Sequence, residues 1–201
     1  MKKIIDLIIS YKFYLLILFF YEFLYILLGY KGNNINIRNN NKTTDTIPCP
    51  YFFLNKILKN IKALDINSLT DIGCGNGRAI YFFKKHININ YFGFEIHDDA
   101  FKQSSEIFTN DSKVIINKED FFQVSHKIEV SDCYFINDPI REIDLHTDLF
   151  GKMVKNHQSL NKKIYYILVN LSIDKTKIFK NCVLLKSYSI GARGYKIYCT
   201  K

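Results

Sequence analysis

The decisive stretch of this 201-residue chain reads Leu69-Thr70-Asp71-Ile72-Gly73-Cys74-Gly75-Asn76-Gly77-Arg78. It begins as an apolar strand and ends as the start of a helix. The three glycines let the backbone turn tightly and let a ligand approach without interference from a Cβ atom. The helix that follows presents free N–H groups to a polar or anionic ligand edge. The spacing G-x-G-x-G, with an Asp two residues before it, differs from the dinucleotide fingerprint G-x-G-x-x-G and from the P-loop.

Two further acidic positions each follow a predicted strand. Glu95 lies at the end of a strand predicted over 90–96, where a carboxylate can accept both hydroxyl hydrogens of a ribose. Asp120 follows a strand predicted over 113–117, where it could accept from an adenine amino group while Phe121 covers the ring. Three such elements in order predict one ligand site at the carboxyl ends of the strands. The alternative is that the glycines only make a tight turn and the acids are surface caps.

Strand and helix signals alternate through the rest of the chain. The predicted strands cover 68–72, 90–96, 113–117, 132–137, 164–169, 182–188 and 194–199, and the predicted helices cover 51–64, 77–86, 98–109, 140–157 and 173–180. Strands separated by helices of this length imply crossover connections and a parallel sheet. The last two strands leave no room for a helix, so a hairpin would make the final strand antiparallel. We expect an α/β fold with a seven-stranded, mostly parallel sheet and helices on both faces.

The sequence resembles the class I S-adenosylmethionine (SAM)-dependent methyltransferases. Residues 69–77 match the D-x-G-x-G-x-G motif of that family, and the resemblance runs from about residue 48 to residue 201. The Pro-rich approach T-I-P-C-P-Y and the loop D-I-G-C-G-N-G-R look like small bacterial members. The layout is also similar to the lysine methyltransferases of the ATP synthase c-subunit, which carry an apolar N-terminal segment. The resemblance implies a Rossmann-like sheet and a methyltransferase activity that uses SAM.

The resemblance also assigns residues to the cofactor. It implies that Asp71 and the Gly73–Gly77 loop hold the methionine part of SAM, that Glu95 binds the ribose and that Asp120 binds the adenine. The cofactor contacts expected in this way are Asp71, Gly73, Cys74, Gly75, Gly77, Glu95, Ile96, Asp120 and Phe121. A metal ion is not expected.

The acceptor side is predicted at Asn137-Asp138-Pro139, after the fourth strand. Amino-group methyltransferases carry [DN]-P-P-[FYW] at this place, where the first side chain and backbone carbonyls accept from the target nitrogen. Here the second Pro is missing and Ile140 replaces the aromatic residue, which puts N-methylation of a base or glutamine in doubt. The alternative is a turn that caps the next helix.

Several other side chains have two interpretations each. His97 could line the pocket or act as a base, although a surface histidine is the simpler interpretation. Arg78 could pair with an acid near the ligand or face solvent. We expect His146 and His157 to be surface or packed residues, and Cys74 to be a small loop residue rather than a nucleophile.

The N-terminal residues 4–29 are strongly apolar and predict a hydrophobic helix. Their longest uncharged run, Phe13–Tyr21, is shorter than the roughly 20 residues that a membrane span needs, and Glu22 interrupts it. One helical stripe carries Tyr11, Tyr14, Tyr21, Glu22 and Tyr25. This pattern favours a helix at a membrane surface or docked on another protein. A true span, a helix packed on this chain's own core and a homodimer contact are the alternatives.

The expected organisation is a helix over 1–30, a polar linker over 31–47 and a methyltransferase domain over 48–201. Basic residues flank the apolar segment on both sides, so they do not decide its orientation: Lys2, Lys3, Lys31, Arg38 and Lys42. The formal net charge is +9, and the charged residues after position 150 are almost all basic, which suits an acidic partner or a solvated face. The five cysteines include no C-x-x-C pair, so neither a disulfide framework nor a zinc site is predicted, and a reducing compartment fits.

The sequence therefore predicts a SAM-dependent methyltransferase whose acceptor is not identified. The alternatives are a protein-lysine N-methyltransferase at the membrane and an O-methyltransferase of a lipid-linked or glycan acceptor. A non-enzyme alternative is an inactive, membrane-tethered binding module with this fold. We expect a cytoplasmic location at the membrane face and no nucleic-acid partner.

Overall fold

The computed structural model describes residues 2–34, 47–190 and 193–201, with side chains from Phe13 onward in the first helix. The helices are α1 (Lys2–Leu27), α2 (Tyr51–Ile61), α3 (Arg78–Lys84), α4 (Asp98–Ile107), α5 (Phe121–Val124), α6 (Ile143–Gln158) and α7 (Ile173–Thr176). A 3-10 turn, Lys177–Phe179, follows α7. The strands are β1 (Ser68–Ile72), β2 (Asn90–Phe94), β3 (Val114–Asn117), β4 (Cys133–Ile136), β5 (Tyr165–Val169), β6 (Val183–Ile190) and β7 (Arg193–Cys199).

The seven strands form one sheet in the order β3-β2-β1-β4-β5-β7-β6. Strands β1 to β5 are parallel, and β7 runs antiparallel to both β5 and β6. The predicted mixed sheet with a terminal hairpin is confirmed. The strand order reverses at β1, which lies between β2 and β4. In open α/β sheets this is the point where ligands bind, outside the carboxyl ends of the strands.

Helices cover both faces of the sheet and enclose two hydrophobic clusters. On one face, α2 and α3 bury Leu54, Ile57 and Phe83 against the sheet. On the other face, α6 buries Phe150 and Val154. Parallel strands buried on both faces read as continuous apolar runs, as β4 does in the sequence Cys-Tyr-Phe-Ile.

The first helix packs along α2 through the predicted aromatic stripe. Tyr14 is buried, and the ring of Tyr25 stacks on that of Tyr51 with centroids 4.6 Å apart. The opposite side of α1 exposes large apolar side chains: Phe13, Leu16, Phe19, Phe20, Phe23, Ile26 and Leu27. Of the alternatives raised by the sequence, packing on the chain's own core accounts for the stripe from Tyr14 onward.

Across the three described ranges, we find no helix whose length and apolarity would let it cross a membrane.

The predicted linker is described only at its two ends. Lys31–Asn34 and Ile47 are placed, and both ends lie beside the glycine loop, whereas Arg38 and Lys42 lie outside the described residues. The chain therefore returns to the carboxyl edge of the sheet before α2 begins.

Candidate active site

A cavity of about 250 Å³ opens at the carboxyl ends of β1, β2 and β4. Most of the residues predicted from the sequence line it: Asp71, Gly73, Cys74, Gly75, Glu95, Ile96, Asp120, Phe121, Asn137 and Pro139. Leu145 and Leu149 of α6 contribute an apolar side to the same cavity. The topology thus brings together residues that are far apart in the sequence, at the edge where the strand order reverses.

The glycine loop is tied to the neighbouring strand and to the acceptor-side loop. The N–H groups of Gly73 and Cys74 donate to the carbonyl of Phe94, at 2.9 and 3.0 Å. Gly73 has φ +75°, and a Cβ atom placed on it would lie 2.8 Å from the Cβ of Pro139. Only glycine allows this approach, because the site combines a left-handed backbone with a close neighbour.

Gly77 has a packing role in this structure. It precedes the first residue of α3, and a Cβ atom there would lie 3.0 Å from the Phe108 ring and 3.2 Å from Ser104. It therefore lets the start of α3 pack closely against the end of α4, away from the cavity wall.

Glu95 is fixed at the tip of β2 by two backbone donors. Its Oε2 accepts from the N–H of Gly75 and its Oε1 accepts from the N–H of His97, both at 2.9 Å. Each carboxylate oxygen has a second lone pair. Glu95 can therefore accept further hydrogen bonds from a ligand without giving up the contacts that hold it.

Asp71 is a second buried carboxyl group on the same cavity, 2 % exposed. Burial and the neighbouring charge of Glu95 raise the pKa of Asp71 to about 8. Two carboxylates in one poorly solvated cavity repel each other, and a ligand cation relieves that repulsion. The electrostatics of the site therefore favour a positively charged ligand.

Asp120 and Phe121 form the far end of the cavity. Asp120 Oδ1 caps α5 by accepting from the N–H of Phe122 at 3.0 Å. The Phe121 ring packs edge-on against Phe94, with centroids 5.1 Å apart. Asp120 is thus a helix cap and a wall residue at once, and Phe121 offers an apolar surface to a flat ligand group.

Arg78 joins the glycine loop to the N-terminal segment. It is buried, and its guanidinium pairs with Glu22 of α1 at 2.7 Å and lies 4.5 Å from the centre of the Tyr51 ring. Its Nε donates to the carbonyl of Gly32 at 3.3 Å. Arg78 therefore pairs with an acid rather than facing solvent, but that acid is Glu22 of α1, which is not among the residues that line the cavity.

The sequence did not reveal that Glu22 supports the cavity through Arg78, or that the 31–34 segment borders the cavity. The other oxygen of Glu22 accepts from the N–H of Tyr51 at 2.8 Å, which places an acid at the N-terminus of α2. Asn76 Nδ2 donates to the carbonyl of Asn34 at 2.7 Å, and Gly32 lines the cavity. The signal for Glu22 was its position as the single charge between residues 13 and 30.

The acceptor-side loop follows β4. Two of its three predicted residues line the cavity, and the third points away from it. Asn137 and Pro139 line the cavity. Asp138 instead directs its carboxylate to Lys175, with Oδ1 2.5 Å from Nζ. The Asn137 side chain donates to the carbonyl of Ile47 at 3.1 Å and accepts from Asn170 Nδ2 at 3.3 Å. The prediction that Asp138 faces the acceptor therefore differs from the structure, because a buried lysine attracts its carboxylate.

The structure places three histidines and Cys74 in different surroundings. His97 is a half-buried loop residue that also lines the cavity, so it combines the two positions that the sequence suggested. His146 and His157 are packed inside the domain, where burial lowers the pKa of each to about 4. Burial raises the pKa of the Cys74 thiol, which suits a loop residue rather than a nucleophile. Within the described ranges, no group of three or more His, Cys, Asp or Glu residues could hold a metal ion.

Several solved structures with this architecture are described as methyltransferases. A protein of Escherichia coli described as the methyltransferase yhhF matches with a TM-score of 0.61 and 11 % identity, over 77 % of this chain and 91 % of that one. An RNA methyltransferase of Salinibacter ruber, solved with S-adenosyl-L-homocysteine, matches with a TM-score of 0.57 and 14 % identity, over 77 % and 92 %. A Staphylococcus aureus protein described as a caffeoyl-CoA O-methyltransferase matches with a TM-score of 0.58 and 14 % identity, over 77 % and 85 %. No family model and no curated protein matches the sequence. The chain has the Rossmann-like fold of class I methyltransferases.

Proposed function

We propose that this protein transfers a methyl group from SAM to a nucleophilic acceptor. The observation that carries the proposal is the pair of buried carboxyl groups, Asp71 and Glu95, on a cavity beside a glycine loop. SAM carries an ammonium, a sulfonium and a ribose, which match a cationic ligand with paired hydroxyl groups. A fold shared with methyltransferases, one of them solved with the demethylated product, supports the same cofactor.

The chain's residues divide between the parts of SAM. Asp71 and the loop from Gly73 to Gly75 would hold the methionine end, and Glu95 would accept from the ribose hydroxyls. Ile96 and Phe121 would enclose the adenine, with Asp120 at its edge. SAM supplies an activated methyl carbon: the acceptor forms a bond to it as the bond to sulfur breaks, and sulfur keeps the electron pair. The protein's task is to align the acceptor and exclude water.

We expect Glu95→Ala to weaken SAM binding by about 1.5–3 kcal/mol, because a charged hydrogen-bond acceptor is lost. Isothermal titration of the full chain with SAM and with its demethylated product measures this effect. Glu106→Ala is the matched control, since Glu106 is an exposed acid on α4. An unchanged affinity in Glu95→Ala would remove the ribose role, and a folded wild-type chain that binds neither ligand would remove the proposed function.

For the acceptor we propose an amine nitrogen. Asn137 lines the cavity, and its Oδ1, which accepts from Asn170 Nδ2, has a second lone pair that can accept from an N–H group. Asp138, the carboxylate next to Asn137 in the chain, is bonded to Lys175. An amine that arrives neutral needs no general base, whereas a hydroxyl benefits from one. A protein lysine at a membrane fits this chemistry. RNA is the alternative acceptor, on the ground that the S. ruber neighbour is described as an RNA methyltransferase, although Ile140 stands where methyltransferases of base amines carry an aromatic residue.

A hydroxyl acceptor is the second candidate, and His97 is the observation that favours it. This histidine lies on the cavity wall and could act as a base toward a lipid-linked or glycan hydroxyl. Incubating the protein with radiolabelled SAM and separate RNA, membrane-protein and lipid fractions distinguishes the candidates. Label that is removed by ribonuclease, by protease or by lipid extraction identifies the acceptor class. Label in no fraction favours the inactive binding module.

We also propose that the exposed side of α1 lies on the cytoplasmic face of a membrane. The exposed apolar residues cover about 180° of the helix circumference. Leu15 and Leu24 lie at the two edges of this face, and Phe23 lies near its centre. A packed protein partner takes a stripe of roughly 100°. Glu22, the charged residue of this stretch, lies on the inner side with Arg78, and exposed Lys31 follows the helix. This arrangement suits a helix embedded at the interface, with the domain on its polar side.

We expect the full chain to sediment with vesicles of phosphatidylcholine and phosphatidylserine. The triple variant Leu16→Ser, Phe20→Ser, Phe23→Ser should stay in the supernatant, because it removes exposed apolar area at the centre of the face. Ile173→Ser is the matched control, since it changes an equally exposed apolar residue on α7. Equal sedimentation of the triple variant and the wild type would contradict membrane docking through α1.

A further inference from the structure

We propose that Lys175 is a positioning residue, whose buried ammonium fixes the acceptor-side loop so that Asn137 and Pro139 face the cofactor cavity. The inference deepens the proposed function and rests on it for its meaning. The structural basis is the pair of contacts that Lys175 makes with the loop from α7.

Lys175 is a buried lysine with two partners on one loop. It is 4 % exposed, and Nζ donates to Asp138 Oδ1 at 2.5 Å and also to the carbonyl of Ile140. Lysine is almost never fully buried unless it is paired. An ammonium in this place is retained at a desolvation cost that the two oxygen partners offset. The buried charge of Lys175 therefore stabilises the acceptor-side loop and does not lie on the protein surface.

The backbone of Asp138 shows what the ammonium holds in place. Asp138 has φ +45°, in the left-handed region that L-residues rarely adopt. Such a conformation persists only where its surroundings over-determine it. Because Asp138 turns toward α7, its neighbours Asn137 and Pro139 face the opposite way and line the cavity. Pro139 then rests against Gly73, and Asn137 bonds to Asn170.

The opposite end of β4 supplies a matched lysine. Lys162 Nζ pairs with Asp132 Oδ1 at 2.7 Å and donates to the carbonyl of Val130 at 2.9 Å. This repeats the carboxylate-plus-carbonyl pattern of Lys175, at the edge of the sheet away from the cavity. The Lys162 side chain is 40 % exposed and that of Lys175 is 6 % exposed, so Lys162→Met controls only for the loss of a lysine charge beside β4. The split between loop protection and SAM affinity within Lys175→Met distinguishes a positioning role from a general loss of stability.

The test compares Lys175→Met with Lys162→Met in the full chain. Hydrogen exchange of a peptide spanning 133–142 reports on the loop, and peptides from β1 and β2 report on the cofactor side. We expect Lys175→Met to lose protection in that peptide by at least about tenfold, because one partner of a buried pair is removed. The SAM dissociation constant should change less than about threefold. Lys162→Met should leave both quantities near the wild type.

The rate of methyl transfer is the second readout. The acceptor in this assay is whichever of the RNA, membrane-protein or lipid fractions the wild type labels. Rates measured against SAM concentration should show a fall of about tenfold or more in the maximal rate for Lys175→Met, with little change in the KM for SAM. Asp138→Asn leaves the lysine in place and serves if Lys175→Met fails to fold; it should show the same split. Equal losses in the 133–142 peptide and in β1 and β2, or equal effects of Lys162→Met, would overturn the inference. If hydrogen exchange follows the prediction but the wild type labels no fraction, the contact between Lys175 and the loop is upheld and the proposed function is rejected.

Discussion

Replacing Arg78 by methionine is expected to lower the free energy of unfolding by about 3 kcal/mol, the lower end of the range for breaking a buried ion pair, because Glu22 is partly exposed. The Arg78 side chain is 8 % exposed and that of Glu22 is 27 % exposed. Methionine fills much of the same space but leaves the Glu22 carboxylate with the N–H of Tyr51 as its remaining described partner. Urea unfolding followed by circular dichroism measures the loss. The melting temperature should fall by roughly 2–4 °C for each kcal/mol in a chain of this size.

A double-mutant cycle with Glu22→Gln separates the ion pair from the packing of Arg78. If the pair carries the effect, the double variant should lose clearly less than the sum of the single losses, because the second change removes a charge that is already unpaired. SAM affinity should also fall in Arg78→Met, since its guanidinium holds the carbonyl of Gly32 at the cavity. Additive losses below about 1 kcal/mol would show that the contact is only peripheral.

The ion pair between Arg78 and Glu22 makes the N-terminal segment part of the folded domain. From sequence, residues 1–30 and 31–47 formed an appendage and a linker, and a chain starting near residue 45 would have contained the expected site. The structure places Glu22 against Arg78 and Gly32 on the cavity wall. A shortened chain would therefore leave a buried guanidinium without its carboxylate. We expect it to be less stable than the full chain and to bind SAM more weakly.

The sheet could be predicted because its signals are local. Short apolar runs, separated by helical periodicity and ended by glycine or acidic residues, specify strands and crossovers without knowledge of distant contacts. The lack of space between the last two strands gave the hairpin. Helix α5 was missed, since four residues, Phe121–Val124, are too few to show a helical period.

The cofactor side of the cavity was predictable for the same reason. Asp71 lies near the end of β1, Glu95 directly follows β2 and Asp120 follows β3 by three residues, so their meeting at one edge follows from the parallel topology. The contacts of Glu22 and Lys175 have no such rule: they join residues 56 and 37 positions apart through side chains. The direction of Asp138 depends on one of these distant partners, which is why the sequence did not place its carboxylate at Lys175, whereas Asn137 and Pro139 line the cavity.

The raised pKa of Asp71 leads to the second large prediction, a pH dependence of stability and of cofactor binding. The folded chain holds a proton on Asp71 up to about pH 8, whereas the unfolded chain releases it near the ordinary value of 3.8. The contribution of this group to stability is therefore fully present below about pH 4 and is lost progressively as the pH rises to about 8. Asp71→Asn should remove this slope, because the amide does not ionise.

SAM should reverse the trend, because its ammonium favours the ionised carboxyl group. Binding then releases a proton from Asp71 below about pH 8, and the affinity should rise by up to about tenfold for each pH unit between about 6 and 8. Titration calorimetry in two buffers of different protonation enthalpy measures both the affinity and the released proton. The ligand's own ammonium titrates near pH 8, but it does so equally with Asp71→Asn, which should bind weakly and release no proton from this site. Identical pH slopes for the two proteins would contradict a role for Asp71 at the methionine end, and the buried carboxyl pair would then have to be explained by the fold alone.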